Sequence, residues 1–359
     1  MSEKTYKILV LNLGSTSTKV GVYENEKQIC GESISHSSED LAKYPSVFDQ
    51  YEYRLESVNG FLAKHGLKWE EFDILAARGG NVHPVPGGIY LLNEQMIADM
   101  YTGKYGTHPN CSGNKIIYEM GKKYGIPAIF VDPPVTDEFE EAARMTGIPE
   151  ITRQSSGHAL NQKATARKIA AQLGTSYDKI NLIVCHLGGG ISVGAHKKGK
   201  IVDMNNALDG DGPMAPERAG TVPTGYLVDL CYSGKFSQGE MRKKLTGKGG
   251  WVAHLGSADG RELVKRVNEG DAKAKAVFEA TIYQLAKEIG AMATVLEGDY
   301  EGIGLTGSLV YSDEIVNALK KRIAFLNKPV FLYPGENEME ALCSGALRYL
   351  RGEEGASPY

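Results

Sequence analysis

Leu182-Ile-Val-Cys-His-Leu-Gly-Gly-Gly-Ile-Ser-Val-Gly-Ala-His196 carries the most information in the chain. Leu182 to Cys185 is an apolar run of the kind buried in a sheet. Gly188, Gly189 and Gly190 follow as a turn without side chains, and a second short strand, Ile191 to Ala195, leaves it. Such a turn lets backbone N–H groups approach a phosphate, because no Cβ stands in the way. The same composition also suits an ordinary hairpin whose glycines supply positive φ. A second copy tips the reading toward phosphate. In Ile8-Leu-Val-Leu-Asn-Leu-Gly-Ser-Thr-Ser-Thr-Lys-Val-Gly-Val-Tyr23, Asn12 falls on His186, Leu13 on Leu187 and Gly14 on Gly188. With one residue of slack in the turn, Val20 and Gly21 fall on Val193 and Gly194. A repeat this widely spaced implies two homologous domains, each with a phosphate-binding hairpin, rather than a solenoid.

Size and composition agree. A chain of 359 residues exceeds what one core usually supports, so two domains are expected. The formal net charge of −4 without a basic block argues against a nucleic-acid partner. Five scattered cysteines, none in a C-x-x-C pair, read as reduced thiols and a cytoplasmic setting. Residues 1 to 7 carry both charge signs, unlike a signal peptide. No apolar run approaches the ~20 residues of a membrane span.

In chain order, strands are expected at about 7–12, 18–23 and 28–34, then one helix from Asp40 to His65 and a strand Asp73 to Ala77 ending at Arg78-Gly79-Gly80. Ser112 reads as the cap of a helix that stops at Gly125, and Ile126 to Val131 as a buried strand closed by Asp132-Pro133-Pro134. The second half repeats the pattern. A helix opens at His158, and a long polar, Gly/Pro-rich loop, Asn205 to Pro223, contains Arg218. Helices follow over 224–233, 237–245, 260–268 and 272–297. Strands at 302–306 and 329–333 bracket a helix at 312–325, and a last helix covers 338–350. The domains are expected at 1–153, joined by the final helix 338–352, and at 154–337, with a disordered tail after Gly352.

Several motifs are set aside. Gly302-Ile-Gly304-Leu-Thr-Gly307 places its glycines inside a strand and has no acid about 20 residues on, so it is not a dinucleotide fingerprint. No Walker motif is present, the S-x-x-K matches lack their partner motifs, and the histidines show no metal spacing.

Asn12-Leu-Gly-Ser-Thr-Ser-Thr-Lys19, Ala77-Arg-Gly-Gly80, His186-Leu-Gly-Gly-Gly-Ile-Ser192, Asn205-Asn-Ala-Leu-Asp-Gly-Asp-Gly-Pro213, Pro216-Glu-Arg-Ala-Gly220 and Asn337-Glu338 span nearly the whole chain. Together they resemble the acetate/butyrate kinase family, and its butyrate-directed members most closely. The resemblance implies an α/β fold of the sugar kinase, actin and chaperone-ATPase type. That fold has two ribonuclease-H-like domains of duplicated topology and an active site in the interdomain cleft. It implies reversible transfer from ATP, with Mg²⁺, to a short-chain carboxylic acid, giving an acyl phosphate and ADP. Butanoate is the expected acid, with acetate, propionate or a branched acid as alternatives, and a homo-oligomer is expected. By resemblance, Asn12, Gly14, Ser15 and Ser17 form the first phosphate loop, and His186, Gly188, Gly189 and Gly190 the second. Asp259 and Arg261 contact adenosine, and Gly307 makes the nucleotide-side turn. Arg78 and Arg218 grip the acid and the transferring phosphoryl group, and His158 donates to that group. Asp132, Glu338 and Asn12 organise the metal.

The residue types suit the chemistry. A carboxylate attacking a phosphate joins two anions, so at least two cations are expected, and arginine binds oxyanions through a planar fork. The nucleophile is already ionised at pH 7, so His158 reads as a donor rather than a base. Each residue also has a plainer reading: Arg78 a surface ion pair, Asp132 a turn initiator, His158 a structural helix start, Glu338 a complement to a helix N-terminus, Lys19 a solvated strand residue. Two departures stand out. Gly189 replaces the asparagine usual in acetate kinases, and Arg78 is followed directly by Gly79-Gly80, which is expected to leave room for a longer alkyl tail. The rival from another class is a non-catalytic nucleotide clamp, which would have no use for Arg78, Arg218 and His158 together.

Overall fold

The computed structural model describes residues 4–359; the expectation for the first three residues lies outside them. The chain divides into two compact units, one running to Thr136 and completed by Asn337–Tyr359, the other Asp137–Glu336. Residues 137–153, expected with the first domain, pack on the second. Glu140 N–H donates to Val202 O, and Phe139 joins a small core with Ala159, Ile201 and Met204.

The first unit holds a six-stranded sheet ordered β3-β2-β1-β4-β6-β5. Its strands are β1 (Lys7–Leu13), β2 (Ser17–Glu24), β3 (Lys27–Ser35), β4 (Ile74–Arg78), β5 (Ile89–Leu91) and β6 (Ala128–Val131). The first three form an antiparallel meander, and β4 and β6 run parallel to β1. Leu9, Leu11 and Leu13 face a core with Val58, Phe61, Leu62 and Ile116. The helix Glu338–Leu350 packs so closely that a Cβ on Gly345 would strike Val131.

The second unit repeats this order as β11-β10-β7-β8-β9. Here β7 is Asn181–Leu187, β8 Ile191–Lys197, β9 Lys200–Met204, β10 Gly302–Gly307 and β11 Val330–Pro334. Both faces of β7 are buried: Ile183 and Cys185 against the long helix Ala272–Val295, Leu182 and Val184 against Ala159–Gln172. That explains why this strand reads as continuously apolar rather than alternating. The registers bear out the repeat, slack included. Leu11 pairs with Val20 and Leu13 with Thr18, as Cys185 pairs with Val193 and Leu187 with Ile191, while four residues close the first turn and three the second.

Some local expectations are corrected. The helix expected over 40–65 breaks into Ser38–Leu41, a 3-10 turn Val47–Gln50 and Tyr51–Lys64. Pro45 ends the first piece, and Ser46 with Asp49 forms a capping box that starts the next. Ser112 is no cap: the helix begins at Asn110, and the buried Ser112 hydroxyl donates to Val47 O (3.1 Å). The short β5, the helix Glu94–Tyr101 and the helix Gly250–Leu255 were not anticipated. The tail after Gly352 is ordered. Ser357 N–H donates to Ile89 O at the sheet edge, and Tyr359 stacks on His83 and bonds Asp99.

Candidate active site

In the first unit β1 and β4 run parallel, so their carboxyl ends share one edge of the sheet, where open α/β sheets place ligands. Asn12 is the penultimate residue of β1 and Arg78 the last of β4. Glu338 opens the helix Glu338–Leu350 behind Asn337, whose φ of 48° turns the chain sharply. These three residues converge. Asn12 Nδ2 donates to Glu338 Oε2 (2.6 Å), and Arg78 Nη2 lies 3.4 Å from Glu338 Oε1. The Glu338 side chain keeps 14% exposure, so its carboxylate is oriented yet reachable. Ser15 and Thr16 are exposed in the following turn, which Gly14 N–H closes onto Ser17 O (2.9 Å). Lys19 sits opposite Asn12 in the register and is exposed.

Sequence reading missed the supports. Asn110 Oδ1 accepts from Leu13 N–H, and Asn114 Nδ2 donates to Arg78 O, so the start of the helix Asn110–Tyr124 fixes both strand ends. His108 precedes it. Its Nδ1 accepts from Asn110 N–H, placing the proton on Nε2. Burial and then the nearby Arg78 charge lower its pKa to about 4, so it stands neutral near Arg78 at pH 7. The i, i+4 spacing of Asn110 and Asn114 was a visible signal; nothing local distinguished His108.

Asp132 is engaged in a different way. It holds φ of 39°, its Oδ1 accepts from Gly88 N–H (2.9 Å), and its own N–H returns to Gly88 O. These bonds hold the turn that the plainer reading assigns to Asp132, and of its side chain they use Oδ1. Gly79 and Gly80 do not open space as expected. A Cβ on Gly79 would meet Pro133, and one on Gly80 would meet Met100 and Cys111. These glycines permit close packing rather than a wider pocket.

In the second unit the rings of His158 and His186 stack with centroids 3.7 Å apart and planes 11° from parallel. His158 stands just before the helix Ala159–Gln172, with Nδ1 2.9 Å from Ser192 Oγ. His186 Nδ1 lies 2.8 Å from Asn161 Oδ1. Asn161 Nδ2 donates to Thr306 and Glu336, so its oxygen is the acceptor and His186 Nδ1 carries a proton. Next comes the glycine turn, with Gly188 N–H on Gly190 O. A Cβ on Gly190 would fall on the Arg218 guanidinium, which is further held by Ala207 O (2.7 Å) and has its pKa lowered by burial. At Gly307, φ is 96° and a Cβ would strike the Leu187 backbone. Only glycine allows β10 to end against the start of that turn.

Gly189, Asp259 and Arg261 line one cavity of about 1060 Å³ with Ser308, Leu309, Tyr311 and Ile315. That is ample for a nucleoside with its phosphates. Asp259 caps the helix Gly260–Asn268 and bonds Arg261, and chiefly that bond lowers its pKa to about 2. ATP therefore fits the residues of this unit: a cavity for the base, a backbone turn without side chains, and a cation against it. For Mg²⁺ the fit is the single oriented carboxylate of Glu338 beside Asn12. Magnesium commonly takes one or two protein carboxylates and completes its shell with water and phosphate oxygens. Among the described residues no three His, Cys, Asp or Glu side chains gather into a metal cage.

Two sheets of one topology, each ending its central strand in a glycine-containing turn, define the sugar kinase, actin and chaperone-ATPase class of fold. Solved structures agree. The acetate kinase of Porphyromonas gingivalis superposes with a TM-score of 0.79 at 18% identity, over 96% of this chain and 100% of its own. The propionate kinase of Francisella tularensis gives 0.77 at 17%, over 95% and 98%. The profile of the acetokinase family matches residues 150–326. A relative from Clostridium botulinum (strain Alaska E43 / Type E3), named probable butyrate kinase, is 44% identical over 355 residues, 99% of this chain and 100% of its own. The chain belongs to the acetokinase family, and is a kinase that transfers phosphate to a carboxylate.

Proposed function

We propose that this kinase acts on butanoate, moving the γ-phosphoryl group of ATP to the acid's carboxylate and forming butanoyl phosphate and ADP, reversibly. The full-length 44% identity to a probable butyrate kinase supports the choice of acid. The packed surroundings of Gly79 and Gly80 take away the pocket-size argument for it. The observation that carries phosphoryl transfer is the convergence of Arg78, Asn12 and Glu338 at the ends of parallel strands.

In this reading Arg78 and Arg218 supply the two cations that the meeting of two anions demands. A carboxylate oxygen forms a bond to the γ-phosphorus as the bond to the β,γ-bridging oxygen breaks, and that electron pair leaves with ADP. No base is needed. Ser192 Oγ accepts from Gln162 Nε2 (2.7 Å) and turns its own proton to His158 Nδ1, so His158 keeps a proton on Nε2 to donate to the transferring group. The backbone turns at Gly14–Ser17 and Gly188–Gly190 hold phosphate oxygens, and Asp259 and Arg261 hold the nucleoside. Asn12 and Glu338 would hold the magnesium, with Asp132 ordering its water; bound there, the ion would neutralise phosphate charge.

Hydroxylamine trapping with ATP, Mg²⁺ and C2 to C6 acids tests the proposal. Rates should rise from acetate through propionate to butanoate, by roughly fourfold per buried CH₂ at about 0.8 kcal/mol each. Acetate as the best substrate would remove butanoate and leave phosphoryl transfer standing. Nucleotide binding without hydroxamate would instead favour a clamp.

The proposed setting is the cytoplasm, since all five cysteines are free. Among the described residues no helix is long and apolar enough to cross a membrane. We also propose a homo-oligomer. The apolar helix Thr224–Cys231 buries no residue, and Tyr226 (77%), Val228 (53%) and Tyr232 (88%) are exposed. Such a patch marks an interface, and light scattering reading a monomer would remove that proposal.

A further inference from the structure

Arg54, on the helix Tyr51–Lys64, has 0% exposure. Arginine is almost never fully buried unless paired with an acid. Here every partner is neutral. Nε donates to Gln50 Oε1, Nη1 to Ser17 O and Thr18 Oγ1, and Nη2 to Gly14 O, Ser15 O and Gln50 Oε1. All five N–H groups of the fork are used, three of them on one turn of backbone. The charge itself is met by dipoles alone. The two histidines that feel it, His36 and His108, both have lowered pKa values, burial being the main cause.

The peptide plane then has a consequence. In a trans peptide the C=O and the following N–H point in opposite directions. Drawing the carbonyls of Gly14 and Ser15 inward to the guanidinium turns the N–H groups of Ser15 and Thr16 outward. Ser15 and Thr16 are exposed, and among the described residues neither N–H has a protein acceptor. Successive outward N–H groups of this kind form a nest for an anion.

We propose that Arg54 is the positioning residue of the first phosphate turn, holding its carbonyls inward so that Ser15 and Thr16 N–H face a phosphate oxygen, and leaving its own buried charge for that phosphate to balance. The proposal rests on reading Gly14–Ser17 as a phosphate turn. Arg54 touches no substrate and acts through the backbone.

The test compares Arg54→Met and Arg54→Lys with the unaltered chain in three readouts: near-UV circular dichroism for the fold, kcat and KM for acyl phosphate formation, and the rise in Tm caused by inorganic phosphate. Arg54→Met should lower kcat by ~100-fold, the cost of misplacing a reacting group by about an ångström. Arg54→Lys keeps the charge without the fork and should recover part of that loss. The phosphate-induced rise in Tm should shrink in Arg54→Met and be partly restored in Arg54→Lys. A residue that only braced the fold would lower the Tm without ligand and leave both the phosphate-induced rise and kcat of the folded enzyme unchanged; that result overturns the proposal. Should Arg54→Met fail to fold, Arg54→Lys with unchanged kcat overturns it equally. Ser15→Pro deletes one outward N–H directly and separates the two readings. If folded Ser15→Pro is unimpaired, the phosphate-turn reading falls; if it is impaired while the Arg54 variants are not, only the Arg54 proposal falls.

Discussion

Replacing Gly190 with alanine tests the proposed second phosphate turn through a single methyl group. The new Cβ would occupy the place of the Arg218 guanidinium, with Nη1, Cζ and Nε its nearest atoms. Gly190 has no positive φ, so alanine adds no backbone strain there. The obstruction is the far end of a flexible side chain, and it is relieved when Arg218 swings away. That movement loses the bond to Ala207 O, worth about 1 kcal/mol. It also returns a half-buried guanidinium to water, which offsets the loss, so Tm should change by no more than ~4 °C. Catalysis should respond differently. Removing one electrostatic stabiliser from a phosphoryl-transfer transition state costs ~100-fold or more in kcat, about 2.7 kcal/mol. Gly190→Ala should therefore approach Arg218→Ala in kcat while staying folded. The double variant should be no worse than Arg218→Ala alone, because both act through one side chain. Gly225→Ala, where a Cβ meets nothing, serves as a control with unchanged activity. The assay is initial-rate hydroxamate formation at saturating ATP and butanoate, with melting followed by circular dichroism. Near-normal kcat in Gly190→Ala, or losses that multiply in the double variant, would refute the assigned role of Arg218.

Other outcomes follow from the same geometry. Glu338→Gln keeps an acceptor for Asn12 but removes the charge, so the Mg²⁺ concentration for half-maximal rate should rise by ~10-fold or more; an unaltered magnesium titration would remove Glu338 from the metal proposal. Asp259→Ala and Arg261→Ala should raise KM for ATP with little change in kcat, since they line the cavity proposed for the nucleoside; a fall in kcat at saturating ATP would contradict that. Burial, and then the Arg78 charge, lower the pKa of His108 in the folded chain to about 4, from an ordinary histidine value of 6.5. Between those values the unfolded chain binds the proton that the folded chain refuses, so stability is full above pH 6.5 and declines as pH falls toward 4. His108→Gln should flatten urea midpoints across that window, and an unchanged slope would exclude His108 as a contributor.

Much of the molecule was legible because the deciding signals are local. Apolar runs, the glycine triplet and its displaced copy identify strand–turn–strand units whatever surrounds them. The one-residue slack seen in the aligned letters reappears as a turn one residue longer in the first hairpin, with the strand register unchanged. The helix expected across 40–65 failed for a reason also present in the letters, since Pro45 cannot continue it. β5 is three residues long and reads as loop, because its pairing with β6 and with the tail comes from distant chain.

Duplication, fold class, glycine turns and the family were determined by the sequence alone, since repeated apolar runs and side-chain-free turns constrain the backbone from within. Tertiary structure decided the pairings across the chain. Glu338 meets Asn12 from 326 residues away, His158 stacks on His186, and Arg218 fills the space that Gly190 leaves. It also decided that Gly79 and Gly80 are packed rather than open, and that Arg54 sits buried under Gly14–Ser17 without an acid. The physical reason is common to these cases. A side chain's partner and the cost of burying its charge depend on which surfaces the folded chain brings together, and no local pattern of residues encodes that.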